Sequence, residues 1–212
     1  MATTKTQRIG IWIIAIFMAV GTVGSFAAIV LAGQNDRNDQ ARLTELMKEY
    51  QDKVTAQQKE YSDKYYPVFK KYADAPKAFD ADSVKKLAKK NLKAGDGEVL
   101  TEESEFTAYY IGWNPEGKVF DSSFNKDKTA LEDPFLARPG GVIKGWSKGV
   151  VGMKVGGIRE VTIPADMAYG AAGSGEDIPP NTPLKFIIMV VPEQESVEPS
   201  QELQELYSRL NS

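Results

Sequence analysis

The chain has 212 residues, 26 basic and 29 acidic side chains, no histidine and no cysteine, for a net charge of −3. That length suits one ordinary domain with extensions, and the near balance of charge gives no reason to invoke nucleic acid, whose binding signatures are absent. The lack of Cys and His excludes disulfides, thiol or imidazole catalysis and the usual zinc sites. It does not fix the compartment, because a cysteine-free chain suits oxidising and reducing surroundings alike.

From Ile9 to Ala32 the chain carries no charged residue and is long enough to span a bilayer as a helix. A cleaved signal peptide is the rival reading, but the apolar run exceeds the usual core of about 7–15 residues. Lys5 and Arg8 precede the run, whereas Asp36, Arg37, Asp39 and Arg42 follow it with no net charge. The positive-inside bias therefore puts residues 1–8 in the cytoplasm, a transmembrane anchor at 9–32, contacting the lipid bilayer, and the rest of the chain outside the cytoplasm.

Residues 33–78 read as a helical stalk, with Leu43, Met47, Tyr50, Val54, Tyr61 and Val68 near heptad-like positions and Asn38 or Asp39 available as a cap. Gln57 and Lys64 interrupt the apolar seam and Pro67 limits continuity, so a helix packed on something, or a solvated stalk, is expected in place of a stable coiled coil. Residues 33–93 carry a net +4 and residues 94–192 a net −5. That asymmetry is compatible with docking by charge, with attraction to an anionic surface, or with a merely solvated helix.

Phe79 to Ser83 marks a boundary, and Val84 to Leu92 has the pattern of a basic helix. Val142, Ile143, Trp146 and Val150 recur at helical spacing, which predicts a short helix over about Lys144 to Val150. Ile158 to Ile163 alternates as a half-buried strand ended by Pro164, and Leu184 to Val191 makes a last strand with Leu184, Phe186 and Ile188 on one face. The tail 193–212 is acidic. Leu203, Leu206, Tyr207 and Leu210 fit one amphipathic helix, with disorder as the alternative.

Six blocks stand in order: Gly95-Asp96-Gly97, Tyr109-Tyr110-Ile111-Gly112, Gly117 to Ser123 (GKVFDSS), VIKGW at 142–146, GMKVGG at 152–157, and Ile163-Pro164 with Ala168-Tyr169-Gly170 and then Ile178 to Phe186 (IPPNTPLKF). Together they resemble the FKBP-type peptidyl-prolyl cis-trans isomerases, the macrolide-binding immunophilins, over roughly residues 83–192. The resemblance implies an α+β fold, a strongly curved antiparallel β-sheet wrapped around one short α-helix, in a domain taken as 79–192. It also turns Val84–Leu92 from a helix into an edge strand. Implied partners are proline-containing polypeptides and, as inhibitors, macrolides; no cofactor and no metal is implied.

The resemblance also assigns roles. Trp146 matches the pocket floor, and Tyr110, Phe120, Val142, Ile143, Ile178 and Phe186 its walls. Tyr169 matches the tyrosine whose hydroxyl meets the amide carbonyl, and Asp121 the carboxylate that orders Tyr110. Composition alone assigns such aromatics to a core. The reaction itself needs no nucleophile, because the barrier of about 18–20 kcal/mol is amide resonance. A dry pocket with a donor placed for the twisted carbonyl lowers it.

Some segments depart from the pattern. Leu131 to Pro139 does not align, which leaves one wall aromatic unassigned, with Phe135 as a candidate. Glu176 and Asp177 would put negative charge on the rim and favour basic residues before the substrate proline. Val150, Val151 and Met153 are expected on the concave side of the sheet with Val161, Ile163, Phe186 and Ile188. On the other side, Ile187, Met189 and Val191 are too apolar for a solvated face, so the stalk or tail should cover them. Three functions stay open: an anchored isomerase assisting folding outside the membrane, a weakly catalytic chaperone or binding module, and a docking subunit of a membrane complex.

Overall fold

The structure is a computed structural model that describes residues 34–210. The anchor expected at 9–32 and the residues before it lie outside the described residues, among which no helix is long and apolar enough to cross a membrane. The described residues fall into two compact units, 57–195 and 34–56 with 196–210.

The larger unit is built on one antiparallel sheet. Its strands are β1 (Ala88–Lys93), β2 (Phe106–Trp113), β3 (Val119–Ser122), β4 (Phe135–Ala137), β5 (Ile158–Ile163) and β6 (Leu184–Val191), in the order β1-β5-β6-β2-β3, with β4 also on β2. The centre is the β2–β6 ladder, in register from Thr107 opposite Val191 to Trp113 opposite Lys185. Both strands read as almost unbroken apolar runs because both faces are covered. Phe106 and Ala108 of β2 join Leu184, Phe186, Ile188 and Val190 of β6 in one cluster, while Tyr109, Ile111 and Trp113 join Ile187, Met189 and Val191 in another. The period of two along each strand sorts them.

On the first face lies α2 (Lys144–Val150), which supplies Trp146 and Val150 to that cluster. Its glycines let it approach β5. A Cβ at Gly145 would fall 2.2 Å from Ile163 Cγ2, a distance no real side chain occupies. The far end of the helix is held by Arg159 of β5, which is 5% exposed. Its Nη1 donates to the Gly149 and Val151 carbonyls at 2.7 and 3.0 Å, and its Nε to Asn91 Oδ1 at 2.7 Å. A cation there also meets the negative end of the helix.

The second face is covered by the later part of α1 (Gln34–Phe69). Tyr61, Tyr65 and Phe69 sit over Tyr109, Ile187, Met189 and Val191. The Phe69 ring stacks on Phe124 at 5.3 Å, and Tyr65 lies 6.0 Å from Tyr109. Two polar pins fix the register: Tyr61 donates its hydroxyl to the Pro192 carbonyl at 2.6 Å, and the Leu131 N–H donates to Ser62 Oγ at 2.9 Å. The expected cover is thus the stalk helix itself, and it binds through aromatic surface. Charge asymmetry is not what holds it. Burying a side chain such as Phe69 is worth about 1.5–3 kcal/mol.

In the smaller unit, the earlier part of α1 pairs with α3 (Gln201–Leu210). Leu46, Tyr50, Leu203 and Leu206 form its core, flanked by Leu43, Met47 and Val54. Arg42 clasps Glu202 through Nε and Nη2 at 2.7 and 2.8 Å, and Arg209 meets Asp39 at 2.7 Å. Exposed pairs of this kind contribute about 0–1 kcal/mol each, so the leucine contacts dominate. The tail forms the expected amphipathic helix.

Four expectations need correction. Asn38 and Asp39 do not cap α1, since the helix already runs from Gln34 and Asp39 serves Arg209 instead. Pro67 lies inside the helix, one turn of which loses its N–H donor there, and the helix ends two residues later at Phe69. The first strand begins at Ala88, following a turn over Ala81–Ser83 whose cap is Asp80. Val151 is exposed: it terminates α2, and its backbone carbonyl is what Arg159 uses. The compact unit 57–195 takes in the later part of α1 because Tyr61, Tyr65 and Phe69 pack on the sheet.

Candidate active site

Between α2 and the sheet, aromatic rings from five elements converge. The Trp146 ring, from α2, is 5.2 Å from Tyr110 of β2, 5.4 Å from Phe186 of β6 and 5.8 Å from Phe135 of β4, each edge to face. Phe120 of β3 meets Phe186 at 5.5 Å, and Tyr110 meets Phe135 at 5.8 Å. Gly112 makes room for this. A Cβ there would stand 2.6 Å from the Phe186 ring and 2.7 Å from that of Phe120.

Trp146 is buried at 4% exposure, whereas Phe135 and Tyr169 are open at 40% and 39%. The cluster therefore has a closed floor and an open lip. Ile178 is buried in the same apolar group, and Val142 and Ile143 pack against it partly exposed. Ile143 directly precedes α2, and its carbonyl accepts from the Trp146 N–H at 2.9 Å, fixing the indole's start on the helix. The segment that failed to align supplies its aromatic after all: β4 pairs Phe135 opposite Ala108, on the strand that carries Tyr110.

Polar chemistry sits at one edge. The Tyr110 hydroxyl donates to Asp121 Oδ2 at 2.5 Å, across the β2–β3 hairpin, where Asp121 pairs with Gly112. Burial first, then this hydrogen bond, the Asp121 charge and the neighbouring Tyr169, push Tyr110 well above the usual tyrosine range. It is a neutral phenol at any physiological pH. Tyr169 follows a turn over Ala165–Met167 and precedes another over Gly170–Ala172, exposed on a tightly wound backbone and near enough to Tyr110 to act on it electrostatically.

The arrangement suits a reaction in which no bond is made or broken to the protein. An apolar floor favours the less charge-separated, twisted amide, and phenolic hydroxyls are donors that do not titrate near neutrality. Among the described residues no group of three or more acidic side chains could hold a metal ion.

The profile of the FKBP-type peptidyl-prolyl cis-trans isomerase family matches residues 96–191. An FK506-binding protein of Neisseria meningitidis serogroup A is 42% identical over 96 residues, 45% of this chain and 85% of that protein. The chain belongs to the FKBP-type isomerases. FK506-binding protein 1 of Dictyostelium discoideum is 40% identical, over 47% of this chain and 91% of that protein, and an FK506-binding protein of Streptomyces anulatus 42% identical over 50% and 84%. As an FKBP-type domain, the chain is a peptidyl-prolyl cis-trans isomerase.

Sequence reasoning missed two neighbours of the FKBP-type pocket. Phe106 stacks on Trp146 at 6.4 Å, and Met167 packs against the same cluster. Phe106 was legible in principle, lying four residues before Tyr110 and so on the same face of β2. Asp177 also differs from expectation: its carboxylate pairs with Lys118, so its charge on the rim is offset.

Proposed function

We propose that this is a membrane-anchored prolyl isomerase. In this reading residues 9–32 span the bilayer with residues 1–8 in the cytoplasm, and the domain of residues 79–192 serves proteins folding outside the cytoplasm. The substrate proline sits on Trp146, enclosed by Tyr110, Phe120, Phe186 and Phe135. Val142, Ile143 and Ile178 line the approach. Tyr169 donates to the amide carbonyl as it rotates, and Asp121 holds the Tyr110 hydroxyl in place. The observation that carries the reading is the convergence of Tyr110, Phe135 and Phe186 edge-on to one buried indole, with a closed floor and an open lip. Macrolides, rigid ligands with a proline-like ring, are the expected inhibitors.

Uncatalysed X-Pro exchange takes tens to hundreds of seconds, slow enough to limit folding, and a tether near the site of client emergence raises encounter frequency. The test of the roles is prolyl-limited refolding of an unfolded protein by the full chain and by Tyr169→Phe. Loss of one donor used only in the transition state should lower kcat about ten-fold, or about 1.4 kcal/mol, with little change in KM. An equal rate in the variant removes Tyr169 from the mechanism, and client binding without catalysis in either protein favours the binding-module reading. Anchoring is tested apart from this: the full chain should resist carbonate extraction from membranes and a chain beginning at residue 33 should not.

A further inference from the structure

Asn114 ends the ladder of β2 and is 4% exposed. Both ends of its amide are used. Its Oδ1 accepts from the Lys118 N–H at 2.9 Å within its own hairpin, and its Nδ2 donates to the Asp177 carbonyl at 3.0 Å. The hairpin is closed further by the Asn114 N–H to Lys118 carbonyl bond at 3.0 Å and the Gly117 N–H to Asn114 carbonyl bond at 2.9 Å. The buried amide therefore ties the β2–β3 turn to the loop that ends in Ile178. That loop is itself braced, the Ser174 N–H donating to the Ile178 carbonyl at 2.7 Å.

The tie brings three charges together. Lys118 Nζ pairs with Asp177 Oδ1, and Glu176 lies near enough for its field to act on the same ammonium. Lys118 stands two residues before Phe120 and Asp177 one before Ile178, so the pair borders two walls of the aromatic site. Its members are 63% and 38% exposed, which makes it a weak clamp. Asn114 holds the loop, and the ion pair sets what charge the loop shows.

We propose that Lys118 is a specificity-determining residue: by offsetting Asp177 beside Ile178, it stops the rim from selecting the charge of the residue before the substrate proline. The proposal rests on the pocket reading above. Without Lys118 two carboxylates face the incoming peptide, and at low ionic strength such charges act across about one Debye length. With it, the loop carries close to one net negative charge, and acidic and basic residues are accepted more evenly.

The experiment uses the full chain in detergent and two peptides of one sequence, with Lys or Glu before Pro. The ratio of their kcat/KM values is read at low and high salt. Wild type should give a ratio within about two-fold of unity; Lys118→Met should raise it about three- to ten-fold at low salt, with the gain lost at high salt. Adding Asp177→Asn to Lys118→Met should bring the ratio back. The same ratio is measured as Kd by NMR titration, which does not depend on turnover. If wild type binds but does not turn over, the catalytic reading fails while the Kd ratio still tests Lys118. An unchanged ratio in Lys118→Met, or equal loss for both peptides, overturns the proposal, because a purely structural role weakens both alike.

Discussion

The Tyr110 hydroxyl and the Asp121 carboxylate lie 2.5 Å apart across the β2–β3 hairpin, and the Tyr110 ring is also an edge of the aromatic floor. One carboxylate thus orients a phenol that the apolar site needs neutral. Asp121→Leu should release the hydroxyl, leave the fold intact and lower kcat/KM about ten-fold, about 1.4 kcal/mol. Steady-state kinetics with a matched thermal melt checks this. An unchanged kcat/KM would make the pair incidental.

Adjacent tyrosines should behave oppositely. Tyr109 points to the other face, fully buried, and its hydroxyl finds no hydrogen-bond partner among the described residues. A buried polar group left unmade costs about 1–3 kcal/mol, so Tyr109→Phe should hold or raise the melting temperature and leave turnover alone. Denaturant midpoints and turnover, measured for Tyr109→Phe and Tyr110→Phe, separate the two: the second should lose activity and the first should not.

Alkaline stability follows from the same residues. Burial, the largest cause in each case, pushes Tyr61, Tyr109 and Tyr110 above the ordinary tyrosine value of about 10. Below that value they are neutral in folded and unfolded chains alike, and contribute nothing that varies with pH. Above it the unfolded chain releases protons that the folded chain keeps, so stability falls as pH rises past about 10. Urea midpoints from pH 8 to 11 should show that loss, and Tyr109→Phe should lessen it. A flat profile would mean these phenols titrate alike in both states.

The cover helix is a fourth target. Phe69 is fully buried and stacks on Phe124, so Phe69→Ala should cost about 3–5 kcal/mol and expose the Ile187, Met189 and Val191 face. Urea denaturation with dye binding measures both effects. A cost below about 1 kcal/mol would show that the helix merely rests on the sheet.

Much of this architecture was legible because its signals are local or positional. The alternation in Leu184 to Val191 gave both faces of β6, and the apolar excess of Ile187, Met189 and Val191 foretold that something covers them. That Tyr65 and Phe69 do the covering was not legible, since the heptad pattern drew attention to Val68 and to one continuous seam. The seam is divided: Leu46 and Tyr50 answer to Leu203 and Leu206, whereas Tyr61 and Tyr65 answer to the sheet. Phe135 could only be a candidate, because its place depends on β4 pairing with β2, a long-range contact that spacing does not encode. Pairings such as Lys118 with Asp177, and Arg159 with the end of α2, are likewise products of tertiary approach.

The central claim is that the rings around Trp146 form the surface on which an X-Pro bond turns. The most direct measurement is NMR exchange spectroscopy of a short X-Pro peptide with catalytic amounts of the full chain, wild type and Trp146→Ala. The account predicts cis–trans exchange far above the uncatalysed rate in wild type and at least a ten-fold loss in a Trp146→Ala protein whose sheet remains folded. Exchange at the wild-type rate in that variant would contradict it.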